Sequence, residues 1–199
     1  MASSSSTSVL ADQVWQADKS ALWVKRVVLV ALGIAALAIA SKIRVPMWPV
    51  PATMQTFAVL SIGAAYGMRL GLVTLLGYLA LGVLGVSVFA GSGTGFAVLA
   101  GPTGGYLIGF AVAAGVMGAL ARRGWDKSFG KMMLAMLIGN AVIYAFGLPW
   151  MAFQFLEAKG AAWVLQWGMT NFLLFDALKL LLAAMLFPTL WKMVGKARG

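Results

Sequence analysis

Asp176 and Lys179 are two opposite charges inside a long apolar segment near the C-terminus, residues 170–191. A spacing of three places both side chains on one face of a helix, close enough to pair. A charge at the centre of a membrane helix costs about 2.5–3.5 kcal/mol on the insertion scale, so two charges facing lipid would be heavily unfavourable. We therefore predict that the pair faces a cavity and contacts a solute. The alternative is a structural ion pair that holds this helix to its neighbours.

A second polar group follows a proline-rich segment: Thr53, Gln55 and Thr56 offer two hydroxyls and an amide. A buried polar solute needs such partners, because each unpaired polar group costs about 1–3 kcal/mol. Ordinary capping of the following helix is the alternative for Thr53 alone. Asn140 is a further candidate for the site, with hydrogen bonding between helices as its alternative.

Composition excludes several kinds of chemistry. The chain has no cysteine and no histidine, which excludes disulfides, thiolate or imidazole metal sites and the commonest general base. The glycine-rich run 91–95 lacks the lysine and the spacing of a phosphate-binding loop. The net charge of +10 comes from basic residues at the ends of apolar runs, which is typical of membrane loops and not of a nucleic-acid surface. We expect no cofactor, no metal and no nucleic acid.

We expect these candidate residues to be held by membrane helices. Only 10% of the residues are charged and 62% are hydrophobic, whereas soluble domains carry about 25% charged residues. We predict an all-α polytopic membrane protein, since a helix needs about 20 residues to cross the hydrocarbon. Six transmembrane helices are expected, at 24–41, 53–67, 69–86, 104–121, 131–148 and 170–191.

Three connecting segments are expected to meet over one mouth of the bundle: the proline-rich 44–52, the glycine-rich 86–103 and the loop 149–169. The stretch 85–105 is predicted to be irregular, as is 44–52. Irregular backbone at membrane depth persists only where protein or a water-filled cavity surrounds it. These two segments are therefore candidate walls of a binding site.

The distribution of lysine and arginine sets the orientation. With the N-terminus inside, eleven basic residues fall inside and three outside, which predicts cytoplasmic termini for a multi-pass protein of the cell membrane. We expect a flexible N-terminal tail at 1–22, a membrane domain at 23–194 and a basic C-terminal tail at 195–199. A cleaved signal peptide ending near residue 40 is disfavoured, because the charged region before it is long and further spans follow.

Small residues repeat along the first predicted helix. Ala31 and Ala35, and then Ala36 and Ala40, form two pairs four positions apart, a spacing that allows close contact between helices. Internal packing and docking to another membrane subunit both remain open.

Several of these segments together resemble one family. The motifs are 49–51 (Pro-Val-Pro), 53–57 (Thr-Met-Gln-Thr-Phe), 88–91 (Val-Phe-Ala-Gly), 101–106 (Gly-Pro-Thr-Gly-Gly-Tyr) and 176–179 (Asp-Ala-Leu-Lys). In combination they resemble the BioY family, the biotin-specific substrate-binding (S) subunit of energy-coupling-factor (ECF) transporters. The resemblance extends over about residues 24–192.

The resemblance implies a six-helix S-component bundle that binds biotin near the outer face. It implies that Asp176 and Lys179 contact biotin and that the loops after helices 1 and 3 close over it. Phe89 and Tyr106 are aromatic residues suited to cover the apolar ring of biotin. The implied partners are a transmembrane coupling subunit and a pair of ABC-type ATPases, with the small-residue strip of helix 1 as the docking surface.

Two alternative functions belong to other classes. One is a self-sufficient, ion-coupled vitamin carrier in which Asp176 takes a proton, although no inverted repeat is visible. The other is an intramembrane hydrolase in which Ser61, Ser87 or Ser92 is the nucleophile and Lys179 the base, although no G-x-S-x-G motif is present.

Overall fold

The long apolar segments form helices. The computed structural model describes residues 8–15 and 18–196. In chain order its elements are α1 Leu10–Val14, α2 Leu22–Lys42, β1 Arg44–Val45, β2 Ala52–Thr53, α3 Gln55–Val83, α4 Phe96–Ala100, α5 Gly104–Arg122, α6 Phe129–Lys159, α7 Ala161–Gly168 and α8 Leu173–Lys196, with 3-10 turns at Lys19–Ala21, Trp125–Lys127 and Thr170–Phe172. The two strands pair antiparallel, with Val45 opposite Ala52.

Five helical stretches in the described residues are long and apolar enough to cross a membrane: α2, α3, α5, α6 and the stretch from α7 through α8. Helices α3, α5 and α6 pack together at the centre. Helix α2 packs against α3, and α8 packs against α6. The prediction of an all-α polytopic membrane protein is confirmed at this level.

Helix α3 is broken at Gly67. This residue has φ 79° and ψ 171°, a conformation that glycine adopts without a steric penalty. The Gln55 side chain donates a hydrogen bond to the Tyr78 hydroxyl at 2.6 Å. A continuous helix would separate these residues by about 35 Å, so the segments 55–66 and 68–83 must fold back on each other. This break agrees with the predicted boundary between the second and third helices.

The predicted loop at 149–169 is wrong. Helix α6 continues through Pro149 to Lys159, and α7 follows after Gly160. Membrane helices tolerate such a proline where neighbouring groups satisfy the freed backbone. The glycine-rich segment is partly irregular as predicted, although it also contains the short helix α4.

At one end of the bundle, which we call the termini-bearing end, α1 packs near the Gly67 turn of α3 and the end of α8. The Val9 side chain lies beside Gly67, and Trp191 donates a hydrogen bond to Asp126 at 2.6 Å. Residues 10–14 of the predicted flexible tail thus form a helix packed on α3 and α8. Residues 1–7, 16–17 and 197–199 of the two predicted tails lie outside the described residues. The domain boundaries stay a prediction.

Candidate ligand-binding site

At the opposite end, helices and connecting segments enclose a cavity. It contains about 680 Å³ of space not filled by protein atoms, including its opening. Ligand sites are mostly apolar with a few convergent polar groups. All eight residues predicted for the site line this cavity: Thr53, Gln55, Thr56, Phe89, Tyr106, Asn140, Asp176 and Lys179.

The Asp176–Lys179 pair is buried at the wall of this cavity. The Lys179 ammonium lies 3.2 Å from Asp176 Oδ1. Asp176 is 7% exposed and Lys179 is 9% exposed. Lys179 also donates to the Thr56 hydroxyl at 2.9 Å, joining α8 to α3. An ammonium carries three protons, so one remains for a third acceptor. The two residues therefore pair with each other and also line the cavity, while their contact with a solute stays a prediction.

Tyr144 completes the surroundings of Asp176. Its hydroxyl donates a hydrogen bond to Asp176 Oδ2, while Oδ1 accepts from Lys179. Each carboxylate oxygen can accept a second bond, so Asp176 still has acceptor positions for a ligand. Sequence reasoning missed Tyr144. The available signal was its position four residues after Asn140, on the same face of α6.

Asn140 contributes a buried acceptor that has no partner among the described residues. Its side chain is 8% exposed and lines the cavity, and the acceptor atom is Oδ1. A buried polar atom without a partner is destabilising by about 1–3 kcal/mol. A ligand N–H at this position would remove that penalty.

Gln55 and Thr53 are tied into the local backbone. Gln55 donates to Tyr78, and Tyr78 in turn donates to the Val88 carbonyl at 2.9 Å. The Thr53 hydroxyl accepts a hydrogen bond from the backbone N–H of Gln55 at 3.1 Å. It therefore satisfies a backbone donor in the first turn of α3, and Thr53 also lines the cavity. This chain of bonds fixes the segment before α3 to the glycine-rich segment.

Phe89 and Tyr106 are held firmly at the wall. Phe89 packs edge-on against Tyr78, with ring centroids 5.6 Å apart. The Tyr106 hydroxyl donates to the Gly168 carbonyl at 2.8 Å, which links α5 to the end of α7. Sequence reasoning missed several apolar lining residues that no motif marks: Phe110, Ile143 and Phe172.

An aromatic cluster at the same end fastens the segment between α2 and α3. Trp48 packs on Phe155 of α6 and Trp163 of α7, with centroid distances of 6.0 and 5.8 Å. Two of the three segments predicted to meet over one mouth, 44–52 and 149–169, therefore touch here.

The three candidate nucleophilic serines do not line the cavity that holds Lys179. The Ser61 hydroxyl is enclosed and has no partner in the part of the chain that the structure describes, whereas Ser87 and Ser92 are exposed. The geometry therefore gives no support to a serine–lysine hydrolase.

Within the described ranges no group of three His, Cys, Asp or Glu residues could hold a metal ion.

Most of the small residues predicted as a docking strip on α2 are exposed on the surface of the helix. Ala31, Ala35 and Ala36 are exposed, while Ala40 is buried at 8% exposure. Only the first pair, Ala31 and Ala35, therefore lies wholly on the outer face of the helix.

Known proteins share this sequence pattern. The sequence model described as the BioY family matches residues 8–196. The chain is 43% identical over 129 residues to the "Probable biotin transporter BioY" of Pyrococcus horikoshii, covering 64% of this chain and 75% of that protein. It is 35% identical over 159 residues to the "Biotin transporter BioY" of Thermotoga maritima, covering 80% and 91% respectively.

The fold also matches a solved structure. The crystal structure of the S-component for biotin from an ECF-type ABC transporter superposes with a TM-score of 0.72, covering 88% of this chain and 95% of that one at 24% identity. This likeness establishes the S-component fold, while the family match over nearly the whole chain establishes descent. The chain belongs to the BioY family.

Proposed function

We propose that this protein is the biotin-binding membrane subunit of an ATP-driven ECF transporter and mediates biotin uptake. The observation that carries the proposal is the buried Asp176–Lys179 pair at the wall of a mostly apolar cavity. The names of the relatives in Pyrococcus and Thermotoga support biotin as the solute.

The polar groups of the cavity suit the polar groups of biotin. Biotin has a ureido ring with two N–H donors and one carbonyl, an apolar thioether ring and a carboxylate tail. The unpartnered Oδ1 of Asn140 and the remaining acceptor positions of Asp176 are suited to the two ureido N–H groups. The third proton of Lys179 is suited to the ureido carbonyl or to the carboxylate.

The apolar groups of the cavity suit the rest of the ligand. Phe89, Phe110 and Ile143 provide the aromatic and aliphatic surface that a thioether ring needs. Tyr106 adds a ring whose hydroxyl is already engaged with Gly168, so its polar end needs no ligand partner.

The proposed topology has six crossings of the cell membrane, with both termini in the cytoplasm and the cavity toward the outside. The reversal at Gly67 supports the count, since it divides α3 into two antiparallel segments. Lysine and arginine residues are concentrated at the end opposite the cavity, which supports the orientation.

The proposed partners are a transmembrane coupling subunit and ABC-type ATPases, which hydrolyse the ATP. The exposed pair Ala31 and Ala35 on α2 supports a docking face, because small residues let a partner helix approach closely. Ala40 is left out of this face because it is buried.

The test is retention of radiolabelled biotin on the detergent-purified protein, with unlabelled biotin, desthiobiotin and an unrelated vitamin as competitors. We expect biotin and desthiobiotin to displace the label and the unrelated vitamin to leave it bound. Absence of retention would overturn the proposal. Uptake by the chain alone in liposomes, without ATPases, would favour an ion-coupled carrier in place of an ECF subunit.

A further inference from the structure

A second cavity lies at the termini-bearing end of the bundle, remote from the candidate biotin site. It contains about 920 Å³ of unfilled space, including its opening. The first turns of α2, the Gly67 region of α3, the end of α5 and part of α1 form its wall.

The lining of this cavity is strongly basic. Four of its side chains are cationic, namely Lys25, Arg26, Arg69 and Arg122, against the one carboxylate of Asp12. Lys25 is 6% exposed, and its ammonium is 3.5 Å from Asp12 Oδ1, at the long end of hydrogen-bond distance. Arg26, Arg69 and Arg122 are exposed, so the lining presents an excess of positive charge that attracts anions.

The types of the basic groups favour a phosphate. Guanidinium groups present a planar fork of N–H donors that binds phosphate oxygens in pairs. Arg122 reaches over the Gly67 turn, where an added Cβ would lie 3.3 Å from its guanidinium. The Tyr66 side chain adds a phenol to the same wall.

The surroundings of the cavity place it at a membrane surface. Trp23, in the same turn of α2 as Lys25 and Arg26, is 66% exposed, and Val24 beside it is also exposed. Exposed tryptophan next to basic residues at the end of an apolar helix is typical of the lipid headgroup region. Apolar lining residues such as Leu29 and Val73 continue the wall from the basic groups toward the hydrocarbon.

We propose that this cavity binds the phosphate of an anionic phospholipid, with the acyl chains lying along α2. Basic pockets between membrane helices are known to accept such headgroups. The shared chemistry is a phosphate anion, and the lipid is the source that the neighbouring apolar surface favours over free phosphate.

The test is lipid retention measured by native mass spectrometry on the full chain in detergent. Dioleoyl phosphatidylglycerol is compared with dioleoyl phosphatidylcholine, which has the same acyl chains and no net charge. We expect preferential retention of phosphatidylglycerol. Equal retention of the two lipids by the unaltered protein would overturn the proposal without any variant.

Variants then locate the site. The double variant Arg26→Gln/Arg69→Gln removes two exposed cations of the cavity, and Arg123→Gln/Lys131→Gln removes two exposed cations outside its lining. We expect retention of phosphatidylglycerol to fall about fivefold for each cation removed from the cavity. The matched control should retain the lipid like the unaltered protein, and equal losses in the two double variants would overturn the site.

Two further measurements keep the result decisive. Biotin retention reports folding of the variants, since the biotin site lies at the other end, and Arg26→Gln alone replaces the double variant if that variant does not fold. Inorganic phosphate is tested as a competitor. Displacement of phosphatidylglycerol by millimolar phosphate, or phosphate binding with no lipid preference, would overturn the lipid as the source.

Discussion

Lys42, at the end of α2, fixes the backbone of Phe89 in the segment between α3 and α4. Its ammonium donates hydrogen bonds to the carbonyls of Phe89 at 2.8 Å and Gly91 at 3.2 Å. The same residue reaches the Ser87 hydroxyl at 3.4 Å. One cation therefore ties the irregular segment that carries Phe89 to a membrane helix, and Phe89 forms part of the cavity wall.

Lys42→Met should speed the dissociation of biotin by about fivefold to tenfold, because charge-assisted hydrogen bonds contribute about 1.5–3 kcal/mol and part of that is regained from water. Association should change less, since the cavity itself is intact. Stopped-flow release of bound biotin measures the effect. Lys159→Met, a lysine at the end of α6 that does not line the cavity, is the matched control. Equal release rates for the two variants would show that Lys42 does not restrain the wall.

Asp176→Asn and Lys179→Met should each weaken biotin binding at least tenfold, or about 1.4 kcal/mol. Each change removes one charge of a buried pair and leaves the other without its partner. Isothermal titration calorimetry on purified protein measures the affinity. Lys192→Met, a lysine near the exposed end of α8, serves as the control. Unchanged affinity in both site variants would remove the pair from the binding site.

Tyr144→Phe should weaken biotin binding by about fivefold or more, because loss of one hydrogen bond to a charged group costs about 1.5–3 kcal/mol when nothing replaces it. The ring remains in the wall, so packing against Tyr106 is kept. Tyr66→Phe, which removes a hydroxyl outside this cavity, is the control. The same calorimetric titration applies, and an affinity equal to that of the control variant would indicate that the Tyr144 hydroxyl does not orient Asp176.

Gly82→Ala should lower the thermal unfolding temperature and biotin affinity together. A Cβ at this position would overlap the ring of Phe89, which is 1% exposed and has no room to retreat. Gly115→Ala is the control, since nothing lies within 4 Å of its added Cβ and alanine favours helix by about 0.5–1 kcal/mol. We expect that control to melt at the same or a higher temperature. A comparable decrease in both variants would contradict the close packing of Gly82 on Phe89.

The stability of the protein should decrease as the pH rises above about 4, through one identified carboxyl. Burial raises the pKa of Asp126, against the smaller lowering effects of the Trp191 hydrogen bond and the Lys127 charge. A raised folded-state pKa means that the folded protein favours the protonated form of Asp126. The contribution of Asp126 to the free energy of unfolding is therefore complete below its pKa in the unfolded chain, and it is lost as the pH rises through its pKa in the folded protein.

Asp126→Asn should remove this part of the pH dependence, because an amide stays neutral and its oxygen can still accept from Trp191. Unfolding temperatures of both proteins between pH 4 and 7 in one detergent test this. Asp12→Asn, a half-exposed carboxylate, is the comparison. Parallel pH profiles for the unaltered protein and the Asp126 variant would contradict the assignment.

Much of the architecture was predictable because lipid imposes it. A chain that must satisfy its backbone within hydrocarbon forms long apolar helices, so composition and the spacing of charges located α2, α5 and α8 within a few residues. The energetic cost of charge in a membrane predicted that Asp176 and Lys179 would avoid lipid, and both line the cavity. The end of α6 was placed about eleven residues too early, because the cost of Pro149 inside a helix depends on neighbours that a sequence does not reveal.

Composition and the spacing of charges were therefore enough to predict the lipid surroundings, the helical class and the few polar residues too costly to face lipid. Which helix faces meet became visible only in the folded protein. Folding brings Tyr144 to Asp176 and Lys179 to Thr56 across 123 positions, and it leaves the Asn140 oxygen beside the cavity without a partner among the described residues. Membrane helices are apolar on every side, so the periodic pattern that marks the inward face of a soluble helix is weak here. Rotation and crossing of such helices are set by packing between distant segments.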